Sequence, residues 1–98
     1  MQLKFLLVED DPDAAMLICE TLEDHFGKQC VKHVDTIARA IASEISDVDM
    51  VISDMNLPDG MGLEVIDKLL ARRPDLPIIM VTGEAVLELA LDAIRKGA

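Results

Sequence analysis

The sequence predicts an α/β layer fold built on a parallel sheet, with residues 1–98 forming one domain. Three observations predict it. Short aliphatic and β-branched runs alternate four times with segments of helical periodicity, which calls for parallel strands joined by right-handed crossovers. Two of these runs, Leu3-Lys4-Phe5-Leu6-Leu7-Val8 and Met50-Val51-Ile52-Ser53, are close to continuously apolar, the habit of strands covered on both faces. Each ends abruptly in carboxylates, Glu9-Asp10-Asp11 after the first and Asp54 after the second. In sheets of this kind ligands collect beyond the carboxyl ends of the strands.

The elements follow in order. After the first strand, Asp11-Pro12 reads as an N-cap followed by proline at the first helical position. Ala15, Ile18, Cys19, Leu22 and Phe26 recur at helical spacing, and Gly27 supplies the stop. Cys30 to Val34 is a short second strand. Asp35 is placed to cap a helix whose apolar face is Ile37, Ala38, Ile41 and Ile45. Met50 to Ser53 is the third strand, and Asn56-Leu57-Pro58-Asp59-Gly60-Met61-Gly62 is a loop of turn residues. Leu63 to Arg72 is helical and closed by Pro74. Pro77 to Thr82 is the fourth strand, Gly83 a turn, and Ala85 to Lys96 a helix ended by Gly97, with Ala90, Leu91 and Ile94 as its core stripe.

Composition narrows the function classes. The 51% hydrophobic content is ample for a core, and with only two Phe and no Tyr or Trp, aliphatic side chains must fill it. No apolar run approaches the roughly 20 residues needed to span a bilayer, and Met1-Gln2-Leu3-Lys4 lacks the order of a signal peptide. Cys19 and Cys30 fall in no metal spacing and are expected as reduced thiols in the cytoplasm. A formal net charge of −10 repels phosphate backbones and weighs against direct nucleic-acid binding by this segment.

The chemistry is in the strand ends. Two neighbouring strands ending in Glu9, Asp10 and Asp54 would gather three carboxylates in one crevice. Like charges at that separation repel unless a cation lies between them, and the fitting occupant is a divalent, oxygen-seeking ion such as Mg2+. Asp11 and Asp59 read as ordinary caps or turn residues. His25 and His33 have no partner spacing and read as surface or core histidines, the methionines as gap-fillers, and Pro58 and Gly62 as shapers of the loop.

Taken in order, Leu7-Val8-Glu9-Asp10-Asp11, the run Ile52-Ser53-Asp54-Met55-Asn56-Leu57-Pro58-Asp59-Gly60-Met61-Gly62-Leu63-Glu64, and Ile79-Met80-Val81-Thr82-Gly83 resemble the response-regulator receiver domain of two-component signalling. The resemblance runs from about Lys4 to the last residue. It implies a flavodoxin-like doubly wound parallel sheet with strand order 2-1-3-4. It also implies a chain truncated at its C-terminus, because the family continues past Arg95-Lys96-Gly97-Ala98 into a fifth strand, bearing an essential lysine, and a fifth helix. None of Lys4, Lys28, Lys32, Lys68 or Lys96 is placed to replace that lysine.

Carried over residue by residue, the resemblance makes Asp54 the phosphoacceptor. Asp10 matches the direct magnesium ligand, Glu9 the neighbour acting through a metal-bound water, and the Asn56 carbonyl the last protein ligand. Thr82 matches the switch hydroxyl and Gly83 the small residue beside the phosphoryl group. Asn56 and Glu84 hold positions that tune the lifetime of that group. Met61 departs from the Asp or Ser often found there, leaving the third helix without a side-chain cap, at a cost of about 1 kcal/mol.

The implied function is transfer of a phosphoryl group from a histidine kinase or phosphotransfer protein onto Asp54, with Mg2+ as cofactor. The protein would be a self-catalysing signalling phosphoacceptor, not an enzyme, in the cytoplasm, with an output domain possible in a longer parent. An unphosphorylated receiver-like adaptor is one rival. A metal-dependent phosphatase or nuclease is another, weakened because Asp54-Met55-Asn56 lacks the second aspartate of an Asp-x-Asp pair. With no fifth strand, Ile78, Ile79, Met80 and Val81 are expected to form an apolar sheet edge that self-associates.

Overall fold

The computed structural model describes residues 3–81, Asp92 and Lys96. Strands β1 (Phe5–Val8), β2 (Val31–Val34), β3 (Met50–Asp54) and β6 (Ile78–Val81) form a parallel sheet in the order β2-β1-β3-β6. Helix α1 (Pro12–Phe26) connects β1 to β2, α2 (Ile37–Ala42) connects β2 to β3, and α3 (Leu63–Arg72) connects β3 to β6. The predicted strand order therefore stands, with β6 as the fourth strand.

Pleat alternation divides the core. Phe5 and Leu7 of β1 and Ile52 of β3 pack with Ala15, Ile18 and Leu22 of α1. Leu6, Val8 and Val51 pack on the other face with Ile37 and Ala40 of α2 and Val65 and Leu69 of α3. Covering on both faces is why these strands carry apolar residues at nearly every position.

The local signals hold with informative exceptions. Asp11 caps α1, its side chain accepting from the Asp13 amide at 3.0 Å, with Pro12 in the first turn and Gly27 closing the helix at φ 107°. The cap of α2 is Thr36, not Asp35: its Oγ1 accepts from the Arg39 amide at 3.1 Å, while Asp35 pairs with the Arg39 guanidinium. The buried face of α2 is Ile37 and Ala40, Ala38 is exposed, and the helix stops at Ala42, so Ile45 is buried from the following loop. Within the expected 56–62 loop, β4 (Asn56–Leu57) pairs antiparallel with β5 (Gly60–Met61). Helix α3 has Gly62 at its N-cap and no side-chain cap, as Met61 foretold.

Cys19 and Cys30 are free thiols, and burial pushes both upward. No helix among the described residues is long and apolar enough to cross a membrane. The expected Ala85–Lys96 helix lies outside the described residues apart from Asp92, which is helical, and Lys96, whose amide donates to the Asp92 carbonyl at 3.0 Å.

Two arginines at the end of α3 tie it to the last turn of α2 and to the α2–β3 connection. Arg72 donates to the Ile41 and Ser43 carbonyls, and Arg73 Nη1 to the Ile45 and Val48 carbonyls at 2.7 and 2.6 Å. Arg73→Met strands two carbonyls whose donor was charged, so it is expected to destabilise the fold by about 2 kcal/mol in urea denaturation.

Candidate functional site

From β1 the chain crosses to β2 on one side, then returns past β1 to place β3 on the other. The crevice between the carboxyl ends of β1 and β3 is therefore the switch point of the sheet. Val8 pairs with Ser53, so Glu9 and Asp54 stand at the same level at the ends of β1 and β3.

Glu9 remains in the ladder, its amide donating to the Val34 carbonyl at 3.0 Å, and only 5% of its surface is exposed. One carboxylate oxygen accepts from the Asp11 amide at 3.2 Å. Asp10 is exposed and Asp54 half-buried at the end of β3. One ligand oxygen from each of Glu9, Asp10 and Asp54 lies within 4.8 Å of the others.

Electrostatics reflects this crowding. Burial, first, raises the Glu9 carboxyl to about 7. The Asp11 amide opposes the rise, while a hydrogen bond with Asp54 and the charges of Asp54 and Asp10 add to it. The ion pairs Lys4–Asp47, Arg39–Asp35 and Arg73–Asp75 involve none of the three carboxylates. Carboxylate oxygens alone, one of them buried and disfavoured as an anion, form a donor set suited to a hard divalent cation.

The loop beyond Asp54 is held against the strand end. The Asn56 amide approaches Asp54 Oδ1 at 3.4 Å, and the Gly62 amide donates to the Met55 carbonyl at 2.6 Å. Gly62 sits so close that a Cβ would collide with the Asp54 carbonyl oxygen and with Met80 Cε. That contact is the reason for glycine at this position.

The structure thus brings Glu9, Asp10 and Asp54 together with Asn56 beside them. Thr82, Gly83 and Glu84 lie outside the described residues. Two residues that sequence reasoning set aside also hold the site's surroundings. His33 Nε2 donates to the Glu9 carbonyl at 2.7 Å across the β1–β2 pair. Asp59 is a cap, as read, but for a helix 22 residues earlier: it accepts from the Ile37 amide at 2.9 Å and the Ala38 amide at 3.0 Å.

With that geometry in place, comparison with known proteins is decisive. The family model described as the response regulator receiver domain matches residues 5–98. The chain belongs to that family. Curated relatives align with nearly all of the chain. The response regulator protein PilR of Pseudomonas aeruginosa is 33% identical over 100 residues, covering 97% of this chain and 21% of PilR. The C4-dicarboxylate transport transcriptional regulatory protein DctD of Rhizobium meliloti is 37% identical over 93 residues, covering 94% of this chain and 20% of DctD. This receiver domain therefore spans about a fifth of the length of those relatives. Among solved structures, the non-phosphorylated HemR receiver domain from Leptospira biflexa superposes with a TM-score of 0.67 at 29% identity, covering 99% of this chain and 77% of that one. A MaeR response regulator bound to beryllium trifluoride gives a TM-score of 0.70 at 25% identity, covering 99% and 80%.

Proposed function

We propose that this receiver domain, residues 1–98 as one unit, accepts a phosphoryl group on Asp54 from a histidine kinase or phosphotransfer protein and passes the signal on through the resulting change of state. The observation that carries the reading is the three-carboxylate cluster within 4.8 Å at the switch point of the sheet, with Asp54 at the end of β3. Family membership over residues 5–98 supports it.

Magnesium would be held by Asp10, Asp54 and the Asn56 carbonyl directly, and by Glu9 through a water. When bound, it neutralises the charge spread over phosphoryl oxygens. An Asp54 carboxylate oxygen attacks the phosphorus, the bond from phosphorus to the donor's leaving group breaks, and that group departs with the electron pair, leaving an aspartyl-phosphate. Thr82 is assigned to donate its hydroxyl to a phosphoryl oxygen. The reaction is stoichiometric with respect to the domain, so it is a phosphoacceptor and not a turnover enzyme. We place the domain in the cytoplasm.

The test is incubation with Mg2+ and acetyl phosphate, read by intact mass. One added phosphoryl group, absent when EDTA replaces Mg2+, is the expected result. Persistent failure to phosphorylate under saturating Mg2+ overturns it in favour of an adaptor. A Mg2+ titration adds a second check: Asp10→Asn should weaken binding at least tenfold, and exposed Asp75→Asn should leave it unchanged. Equal effects would remove the cation from this cluster.

We also propose that the 98-residue polypeptide self-associates through β6. Among the described residues β6 is the outermost strand, and Ile79 on it is 38% exposed. Sedimentation at rising concentration should show dimers or larger species. A monomer throughout, with amides of 78–81 protected from exchange, would overturn this.

A further inference from the structure

The β4–β5 loop carries Asn56 at its start, and the far end of the same loop grips α2. At the tip, the Asp59 carboxylate spans the amides of Ile37 and Ala38, one oxygen to each, at 2.9 and 3.0 Å. These two bonds hold its carboxyl below the ordinary aspartate value, so it is ionised at neutral pH. Beside it, Gly60 lies at φ 150°, and a Cβ there would stand 3.0 Å from Ile37 Cδ1. Leu57 is buried in the same cluster as Ile37 and Val65. The loop is thus fixed to α2 by polar bonds at its tip and by apolar packing at its base.

The antiparallel pairing turns that fixation into a constraint on the site. Asn56 pairs with Met61 and Leu57 with Gly60, so the loop is closed as a short hairpin. At its other end the Gly62 amide is bonded to the Met55 carbonyl, and Gly62 packs on the Asp54 carbonyl. Displacing Asp59 therefore displaces Asn56 and the backbone behind Asp54.

We infer that Asp59 is a positioning residue for the cation site: by clamping the hairpin to the first two amides of α2, it sets where the Asn56 carbonyl stands relative to Asp10 and Asp54, and it couples occupancy of that site to the start of α2. The inference rests on the reading of Glu9, Asp10, Asp54 and Asn56 as a cation site. Coupling of this kind is reciprocal. A bound cation tightens the contact between Asp59 and α2, and loss of that contact weakens the cation.

Thr36 supplies the control. It caps the same helix through the Arg39 amide, within α2 and away from the hairpin. Thr36→Ala and Asp59→Ala both remove a cap from α2, so both should lower thermal stability. Only Asp59→Ala should raise the Mg2+ concentration at half-saturation, by about fivefold. Asp59→Asn keeps one carbonyl oxygen for one amide and should fall between Asp59→Ala and the parent.

The experiment is a Mg2+ titration of the full chain by calorimetry, paired with amide exchange. In the parent, saturating Mg2+ should slow exchange at Ile37 and Ala38, and in Asp59→Ala that slowing should vanish. Unchanged Mg2+ affinity in Asp59→Ala overturns the inference, as does an equal loss in Thr36→Ala. Asp10→Asn in the same series separates the two readings. If it binds Mg2+ like the parent, the cation site itself is misplaced. If it fails to bind while Asp59→Ala binds normally, the site stands and only the role of Asp59 falls. Should Asp59→Ala not fold, Asp59→Asn against Thr36→Ala decides the same question.

Discussion

Asp54→Ala is expected to abolish phosphorylation outright while leaving the fold intact. The loss should be complete because, among the described residues, Asp54 alone combines a strand-end position, a half-buried setting and an adjacent pair of carboxylates able to hold a cation. Neither neighbour can stand in as nucleophile. Glu9 is buried, and one of its carboxylate oxygens is taken up by the Asp11 amide. Asp10 leaves β1 one residue beyond Glu9 and is exposed to solvent. The structural cost should be small. The Asp54 side chain accepts a long bond from the Asn56 amide at 3.4 Å and shares a hydrogen bond with the Glu9 carboxyl, and its removal relieves repulsion among like charges. A stability change within about 1 kcal/mol follows. Intact mass after Mg2+ and acetyl phosphate treatment reads the first claim and thermal unfolding the second. A phosphoryl mass on folded Asp54→Ala would put the acceptor on another residue.

Why the site was legible while parts of its support were not comes down to range along the chain. Glu9, Asp10 and Asp54 could be placed together because each terminates a run apolar on both faces, and such runs become central parallel strands with common ends. Asp11-Pro12 and Gly27 are local signals and were read correctly. Asp35 and Thr36 are adjacent and both competent as caps, so the one-residue choice turned on the Arg39 side chain, which takes Asp35. The Asp59 cap joins residues 21 and 22 apart, and the Arg73 bonds to the α2–β3 connection join residues 25 and 28 apart. No periodicity records such pairs. Ile45 shows the same limit: its burial was foreseen, but the helix expected to carry it ends at Ala42. The two-residue strands β4 and β5 are too short for alternation to mark them, and only the turn residues between them announced a reversal.

Stability of the metal-free protein should fall as pH rises from about 5 to 7.5, and Mg2+ should reverse the fall. The cause is Glu9. Its carboxyl stands at about 7 in the folded protein against an ordinary 4.5, chiefly through burial. Between those values the folded state binds more protons than the unfolded state, so stability declines with increasing pH across that window. The contribution is fully present below 4.5 and lost once pH passes about 7. A shift of this size corresponds to about 3 kcal/mol. Asp59, Asp47 and Glu44, whose carboxyls lie below their ordinary values, act in the opposite sense and only at more acidic pH, so they leave this window clear. Glu9→Gln removes the titrating proton and should flatten the profile between pH 5 and 7.5. A cation held by the deprotonated cluster binds the folded state alone and stabilises it by mass action, most strongly where Glu9 is ionised. Urea midpoints in EDTA and in Mg2+ at several pH values measure both effects. A parent profile as flat in EDTA as that of Glu9→Gln would mean that Glu9 stays ionised without a cation, and that the crowding of three carboxylates is relieved by some group of the protein itself.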